Sequence, residues 1–252
     1  MIQKTLVILA NSNKPGGRCV AGKEATRTGN GDWNLTQNWI RPVSDDEQHH
    51  GSVAVNFYQI DGQDIYLMDL VTVGLSEPAP EPGQPENWLI DASVPWISHG
   101  QFEASVCAQL VDSPEDVWLD QAHGISSAEV SLQYEQQGMI ADSLKVIQPH
   151  NLQFHLTNDY QEYKGLYKTK LAASFQYNGQ DYSGLSVTDP VIKRILGRQY
   201  PQQGAAAIVM PLNNGNAYWL CVSLGPRFGG QNKHYKLVAG VIDQSGYLLR
   251  HR

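Results

Sequence analysis

Short apolar runs separated by glycine-centred turns dominate the chain. Asp61-Gly62 lies between the apolar and aromatic runs of FYQIDGQDIYLMDLVTV, and Asn178-Gly179 holds the same place in SFQYNGQDYSGLSV. Two further turns are expected at Asn214-Gly215 and near Ser245-Gly246. Asp-Gly and Asn-Gly pairs supply the positive φ angles that two-residue hairpin turns need, so the pattern predicts a mainly β protein.

Helical signals are few. The stretch SPEDVWLDQAHG predicts a helix over residues 113–124, capped by Ser113, and TDPVIKRILG predicts one over residues 189–197, capped by Asp189. Residues 126–137 are expected to form a third helix. The Pro-rich stretch EPAPEPGQPENW predicts a stiff surface loop or linker within the first half of the chain.

The segment GRCVAGKE, residues 17–24, matches a phosphate-binding P-loop except at its end, where Glu24 replaces the Ser or Thr that holds magnesium. In a P-loop, a strand runs directly into the first glycine and a helix begins at the lysine. Here NSNKPG separates the apolar run TLVILA from the segment, and EATRTGNGDW follows without a helical pattern. We therefore interpret the segment as a glycine-rich turn or anion-binding loop, not as a nucleotide-hydrolysing site.

Charge is distributed unevenly along the 252 residues, which carry a net charge of −7. Residues 42–144 contain 18 Asp and Glu but no Lys or Arg, whereas the part after residue 135 has a net charge of +6. The positively charged part after residue 135 favours contact with phosphate. The acidic stretch 42–144 would repel phosphate or dock a protein partner. Two solvated faces without a binding role would produce the same pattern.

Cysteine content and hydropathy bear on the compartment. The three widely spaced cysteines include no CxxC pair, which is typical of a reducing compartment and excludes a cysteine-built zinc site. No apolar run approaches the roughly 18–20 residues needed to span a bilayer. The N-terminal run LVILA is also shorter than the apolar core of an export signal. The sequence thus predicts a cytoplasmic protein without a membrane partner.

Five segments, read in order, resemble the dual OB-domain family: LVILANSNKPGGRCVAGKE, NWIRPVS, SLKVIQPHNLQFHL, GLSVTDP, and WLCVSLGPRFGG with HYKLVAGVI. The resemblance implies two OB-like β-barrels. It also implies nucleic acid or a nucleotide as ligand, in prokaryotic conflict and antiviral systems. Together with the acidic stretch, it predicts two OB-like β-barrels with a short acidic helical insert between them. The expected ranges are 1–95 for the first barrel, 96–143 for the insert and 144–252 for the second barrel.

Candidate ligand-binding residues are basic and aromatic, because OB barrels bind nucleic acid through cations and stacked rings. The candidates of the first barrel are Arg18, Lys23, Trp39 and Arg41. The candidates of the second barrel are Lys164, Tyr167, Lys168, Lys193, Arg194 and Lys236. Each set also has a structural interpretation, which is an internal ion pair for the arginines of the first barrel and a solvated strand or helix face for the second.

Catalytic and metal-binding patterns are weak. The loop DDEQHHG, residues 45–51, groups three acids with two histidines, but adjacent histidines on a loop rarely converge on a metal without further ligands. Cys19 has no histidine near it in the sequence, so a packed strand cysteine is favoured over an activated thiol. No metal, cofactor or catalytic residue is therefore predicted.

The function that these patterns favour is a non-enzymatic module that binds or senses single-stranded nucleic acid or a nucleotide. The alternative is an adaptor whose acidic stretch, residues 42–144, docks a partner protein. A third hypothesis is an enzyme acting on nucleotides, because Arg18, Lys23, Arg41 and Lys236 could gather around a phosphate. Convergence of these four cations on one pocket would favour ligand chemistry, and their separation would favour the adaptor.

Overall fold

The structure, a computed structural model, describes residues 2–14, 16–45, 51–118, 128–162, 165–199, 208–211, 216–226 and 232–251. Strands account for 55% of the chain, which confirms the predicted mainly β class. They form two curved sheets, one from each half of the chain, and a small hairpin. Among the described residues, no helix is long and apolar enough to cross a membrane.

The first sheet is a closed five-stranded barrel with one added strand. In chain order, its half of the chain contains β1 (Ile2–Lys14), β2 (Gly17–Arg27), β3 (Trp33–Val43), α1 (Val55–Tyr58), β4 (Gln59–Ile60), β5 (Gln63–Asp64), β6 (Asp69–Pro78), β7 (Asn87–Ile90) and β8 (Ile97–Gln101). The barrel follows the order β1-β2-β3-β7-β6 and closes where β6 pairs with β1. Strands β3 and β7 run parallel, and β8 pairs with β6 beside the barrel.

The second sheet is a half-barrel that follows a 3-10 helix (Ala104–Leu110). Its half of the chain contains β9 (Glu129–Ser131), α2 (Leu132–Gln136), β10 (Leu144–Ile147), β11 (His150–Gln161), β12 (Leu166–Tyr177), β13 (Gln180–Val187), α3 (Pro190–Gln199), β14 (Ile208–Pro211), β15 (Tyr218–Leu224), β16 (Lys233–Asp243) and α4 (Tyr247–Arg250). The strand order is β10-β15-β16-β13-β12-β11-β14. Strands β10 and β11 are consecutive in the chain but lie far apart in this order.

The two sheets share one plan. In each, three antiparallel strands form a meander whose third strand pairs in parallel with the last, as β3 does with β7 and β13 does with β16. This arrangement confirms the expected pair of OB-like barrels with few helices. The similar pentapeptides RCVAG, residues 18–22, and KLVAG, residues 236–240, lie in β2 and β16, which hold different places in the plan.

Three apolar clusters stabilise the fold. One fills the first barrel around Ile8, and another fills the second sheet around Phe154. The third lies between the barrels, where Leu9 of β1 belongs to the same cluster as Trp219 of β15. Residues of β1 thus alternate between the barrel interior and the interface, and both faces are buried. This explains why TLVILA is a continuous apolar run instead of an alternating one.

At Gly240, the backbones of the two barrels come into direct contact. A Cβ added to Gly240 of β16 would stand 2.4 Å from the carbonyl oxygen of Leu9 in β1. No side chain fits at that distance, so glycine is required for the two strands to cross so closely.

Several local predictions are confirmed. Both residues of Asp61-Gly62 and of Asn178-Gly179 have positive φ, and the pairs connect β4 to β5 and β12 to β13. Asp189 caps α3, because its Oδ1 accepts the backbone N–H of Val191 at 2.8 Å. The helix continues to Gln199, two residues beyond the predicted end.

Other helix predictions are wrong in part. Residues 113–118 are not helical, because their backbone bonds to the second barrel: Tyr182 Oη accepts the N–H of Val117, and Tyr177 Oη donates to the carbonyl of Pro114. Residues 119–124 lie outside the described part. Of the segment 126–137, the described residues 128–137 contain β9 and one short helix, α2. The turn expected at Asn214-Gly215 also lies outside the described residues.

The division into ranges 1–95, 96–143 and 144–252 stays a prediction. Within the segment 96–143, β8 pairs with β6 of the first sheet and β9 pairs with β16 of the second. Both ends of this segment therefore contribute strands to the neighbouring sheets.

Candidate ligand-binding cleft between the barrels

The segment GRCVAGKE is not a loop. Residues 17–24 form most of β2, which pairs with β1 on one side and β3 on the other. The interpretation as a glycine-rich turn or anion-binding loop is therefore wrong for this segment, because its backbone amides are committed to a sheet. The tight turn lies before it, where Gly16 has a φ of 81°.

Lys23 is enclosed completely. Its side chain is 0% exposed, and its Nζ donates to Asp112 Oδ1 at 2.6 Å, to the Leu110 carbonyl at 2.7 Å and to Gln37 Oε1. The ammonium also lies 5.3 Å from the centre of the Trp39 ring. All three protons of the ammonium are thus used inside the protein, and no surface remains from which it would reach a ligand.

Trp39 belongs to the same internal network. Its Nε1 donates to Asp112 Oδ2 at 3.3 Å, and the same oxygen accepts the backbone N–H of Val146 at 2.6 Å. Trp33, Leu35 and Trp39 all pack against the cluster between the barrels. The part of the outer face of β2 and β3 around Lys23 and Trp39, where OB barrels usually bind their ligands, is therefore covered by the protein itself. At the end of this face, Arg27 is exposed and lies 4.0 Å from the centre of the half-buried Trp33 ring.

The other candidate cations do not converge with Lys23. Arg18 donates to Asn13 Oδ1 at 2.6 Å and pairs with Asp64 at 3.4 Å. Lys236 is fully buried, with its Nζ 5.4 Å from the centre of the Tyr182 ring. The gathering of four cations around one phosphate, on which the enzyme hypothesis depended, does not occur.

The candidates on β12 and α3 lie on the second barrel. Tyr167 is opposite Tyr160, and Lys168 is opposite Asp159, in the β11–β12 pair. Lys164 lies outside the described residues. Both basic candidates of α3, Lys193 and Arg194, are half-buried, and Arg194 donates to the carbonyl of His251 at 3.3 Å.

A cleft of about 840 Å³ opens between the two barrels. Its first wall comes from the ends of β1 and β3 and from residues 79–86, the Pro-rich connection between β6 and β7. Its second wall comes from β15, β16, the residue after β13 and the first residues after β15. The polar lining residues are Ser12, Asn13, Lys14, Cys19, Arg41, Ser44, Asp45, Glu81, Gln84, Asn87, Thr188 and Ser223.

The position of this cleft matches the loops that OB folds use for binding. In that fold the connections between strands one and two, and between strands four and five, flank the ligand. Lys14 is the last residue of β1, next to the first of these connections in the first barrel, and residues 79–86 form the second. Gly225 and Pro226 begin the corresponding fourth connection of the second barrel. The cleft is thus bordered by ligand-binding loops of both barrels.

Arg41 is the one sequence-predicted candidate that lines the cleft among the described residues. It is 4% exposed, and its guanidinium pairs with Glu86 at 3.0 Å and donates to Ser143 Oγ at 2.8 Å. Its Nε, however, is buried and has no hydrogen-bond partner. Because this atom is enclosed by the protein, Arg41 lines the cleft with other atoms of its side chain or backbone.

A second unsatisfied atom lies beside the first. Asn87 is 2% exposed, lines the cleft, and has a buried Oδ1 without a hydrogen-bond partner. Arg41 and Asn87 are direct partners in the parallel β3–β7 pair. Both atoms are enclosed by the protein, so neither is open to the cleft. Sequence reasoning missed Asn87, because nothing in PENWLI distinguishes it from a surface residue.

The three cysteines have different surroundings. Cys19 is half-buried and lines the cleft, whereas Cys107 and Cys221 are buried. Burial raises the pKa of the Cys107 thiol to about 12 and raises that of Cys221 well above its usual value. Since thiolates are the reactive form, Cys19 is the thiol that reagents reach in the folded protein.

Metal binding receives no support from the described part of the chain. There, no group of three or more His, Cys, Asp or Glu side chains is arranged to hold a metal ion. Of the acids and histidines in DDEQHHG, only Asp45 is described, and residues 46–50 lie outside.

Comparisons with known proteins identify the family. Neither a search of curated proteins nor a search of solved structures found a match. A family model described as a dual OB-containing domain matches residues 4–241, nearly the whole chain. Its two barrels give the protein the architecture of a nucleic-acid-binding module. The chain belongs to the dual OB-containing domain family.

Proposed function

We propose that this protein binds a nucleotide, or the terminal nucleotide of a nucleic-acid single strand, in the cleft between its barrels. The observation that carries the proposal is a cleft between the two barrels that is bordered by the OB ligand loops of both. A volume of about 840 Å³ lies within the usual range of about 300–1,000 Å³ for small-molecule sites.

The location of the cleft between the barrels favours binding of a single nucleotide over binding of a polymer that lies along one barrel. The part of the β2–β3 face around Lys23 is covered, and this cation is saturated by internal acceptors. A single strand would therefore reach the protein by inserting one nucleotide between the barrels, with the rest of the chain outside. Single-stranded nucleic acids are commonly recognised through such splayed bases.

A binding role is favoured over catalysis by the composition of the cleft. The described lining residues include Cys19 as a nucleophile, but no histidine that would activate it. Most of the described lining consists of hydroxyl, amide and apolar groups, which position a ligand, and the charged residues among them are Lys14, Arg41, Asp45 and Glu81. A role in prokaryotic defence stays a prediction, because it rests on the family resemblance alone.

The acidic stretch has an internal role that weakens the adaptor alternative. Asp64, Glu86 and Asp112 of this stretch pair with Arg18, Arg41 and Lys23, respectively. Three of its carboxylates thus compensate cations of the first barrel. The uneven charge along the sequence is partly balanced inside the fold, so it gives less support to a docking face.

A cleft-filling variant tests the proposal. Ala79 lines the cleft, whereas Glu77, two residues earlier, is exposed and does not. Binding of nucleosides, nucleotides and short DNA and RNA single strands is measured by calorimetry on wild type, Ala79→Trp and Glu77→Trp. We expect at least one ligand to bind and Ala79→Trp alone to weaken it more than tenfold. Absence of binding throughout, or equal affinities of the two variants, would contradict the proposal.

A further inference from the structure

We infer that the surface formed by α3 and α4 holds the backbone and one base of a nucleic-acid single strand whose terminal nucleotide occupies the cleft. This inference rests on the proposed function and specifies where the strand lies after it leaves the cleft. Three observations carry it: the start of α3 at the cleft, two arginines on the outer side of α3, and an exposed pair of stacked rings beside them.

Helix α3 begins at the cleft. Thr188, the first residue after β13, lines the cleft, and the helix runs from Pro190 to Gln199. At about 1.5 Å of rise per residue, the helix extends for about 15 Å. A strand that leaves the cleft on the side of Thr188 therefore meets α3 next.

The outer side of α3 carries two arginines. Ile192 and Leu196 pack into the core of the second barrel, whereas Arg194 is half-buried and Arg198 is exposed. Neither arginine forms an ion pair with a carboxylate among the described residues. Like charges four positions apart on a helix repel each other. A phosphate group between the two guanidinium groups would replace this repulsion with attraction.

Acidic residues are nearly absent from the segment that supplies α3 and α4. Residues 190–252 contain eight Lys and Arg but a single acid, Asp243. Asp243 is 3% exposed, and its carboxylate accepts the backbone N–H groups of Tyr247 and Leu248 in α4. The one carboxylate of this segment is thus used inside the protein, and the charges that the segment presents to solvent are positive. Such a surface attracts the phosphates of a nucleic acid.

An exposed aromatic pair adjoins the arginines. Tyr247 is 46% exposed and stacks on the ring of His251, with the ring centres 4.0 Å apart. Arg194 donates to the carbonyl of His251 at 3.3 Å, which places the aromatic pair beside α3. Proteins commonly hold single strands by stacking bases on aromatic rings while cations contact the phosphates. The α3–α4 surface has both components.

The length of the ligand tests the inference. Calorimetry at several salt concentrations compares 5′-mononucleotides with mixed-sequence RNA and DNA strands of two, four and eight nucleotides. We expect the affinity to rise at least tenfold from one to four nucleotides. The slope of log affinity against log salt concentration should become steeper by about 1.4, the value for two phosphate contacts on a single strand. Equal affinities and slopes for one and eight nucleotides would overturn the inference and leave the proposed function standing. If no nucleotide or strand binds, both fail.

Paired substitutions locate the phosphates. Arg194→Gln together with Arg198→Gln should make the slope for the eight-nucleotide strand shallower by about 1.4 and leave the affinity for mononucleotides unchanged. Lys4→Gln together with Arg27→Gln is the matched control, because it removes the same charge from β1 and β2 of the first barrel. An unchanged slope in the α3 variant, or an equal change in the control, would contradict the inference. Thermal melting verifies that both variants are folded.

Removal of the stacked ring tests the contact with a base. Tyr247→Ala should weaken binding of the eight-nucleotide strand about tenfold, the effect of one lost base stack, and leave the salt slope unchanged. Tyr247→Phe keeps the ring and should bind like wild type. Wild-type affinity of folded Tyr247→Ala would show that no base stacks there and would contradict this part of the inference.

Discussion

Buried polar residues lie both on the covered face of β2 and β3 and beside the cleft between the barrels. The two regions differ in how fully these polar groups are hydrogen-bonded. On the covered face, Lys23 donates to three acceptors and Asp112 serves several donors. In the cleft, Arg41 Nε and Asn87 Oδ1 are buried without partners. A saturated buried network stabilises a fold, and loss of one member leaves the others without partners. Arg41 has its charge compensated by Glu86, so the two regions differ in the number of hydrogen bonds that their buried groups make and not in charge compensation.

Removal of the Lys23 ammonium, whose three protons are all hydrogen-bonded, should cause the largest loss of stability. We expect Lys23→Met to lower the free energy of unfolding by about 3 kcal/mol, because it leaves the acceptors around a buried ammonium without their donor. Urea denaturation measures the change. Lys4→Met is the control: Lys4 pairs with Glu24 at 2.8 Å, but both side chains are partly exposed, so the loss should stay below about 1 kcal/mol. Equal losses in the two variants would contradict the structural role of Lys23.

The carboxyl group of Asp189 accepts hydrogen bonds from backbone amides and has no cation as partner in these bonds. Its contribution to the free energy of unfolding should depend on pH. Its oxygens accept the N–H groups of Val191, Ile192 and Val241, yet complete burial raises its pKa from 3.8 to about 6. Between about pH 4 and 6 the folded state therefore holds a proton that the unfolded state has lost. This group's contribution to stability falls as pH rises through that window.

The comparison of wild type with Asp189→Asn isolates this contribution. Because the variant does not titrate there, the free energy of unfolding of wild type relative to the variant should fall by about 2–3 kcal/mol between pH 4 and pH 7. Urea denaturation at several pH values measures it. A difference that stays constant or rises with pH would show that the carboxyl is not held protonated by burial.

The next largest change in the free energy of unfolding is expected at the backbone contact between the barrels. Gly240→Ala should lower the free energy of unfolding by about 1–3 kcal/mol, since its Cβ would meet the Leu9 carbonyl at 2.4 Å. Gly197→Ala in α3 has nothing within 4 Å of its Cβ and should instead raise stability by about 0.5–1 kcal/mol. Thermal melting of both variants checks the opposite signs, and a neutral Gly240→Ala would refute the close crossing.

The smallest effect on stability is expected in the cleft. Asn87→Leu removes an acceptor that has no partner and one hydrogen bond of 3.3 Å to Gln84, so the free energy of unfolding should change by less than about 1 kcal/mol. Urea denaturation measures this change alongside that of Lys23→Met. A larger loss of stability in Asn87→Leu than in Lys23→Met would contradict the comparison.

The sequence predicted those features that neighbouring residues determine. The turns at Asp61-Gly62 and Asn178-Gly179 and the cap of α3 depend on residues within a few positions. The 3-10 helix Ala104–Leu110 was missed, since no side chain caps its start.

The roles of the cations depended on distant partners. Lys23 is 89 positions from Asp112, and Arg41 is 102 positions from Ser143, so composition identified both residues but not what they contact. The cleft was also missed, because it exists only where two barrels meet.

Alkylation of Cys19 tests most directly whether ligand enters the cleft. Cys19 lines it, and the other two thiols are buried, so the native protein should react at one thiol and the denatured protein at three. We predict that the nucleoside, nucleotide or single strand that binds best slows this reaction in a saturable manner, and that Ala79→Trp requires more than tenfold more of it for the same protection. A Cys19 rate that is unchanged when calorimetry shows the protein saturated with ligand would place binding elsewhere and contradict the account.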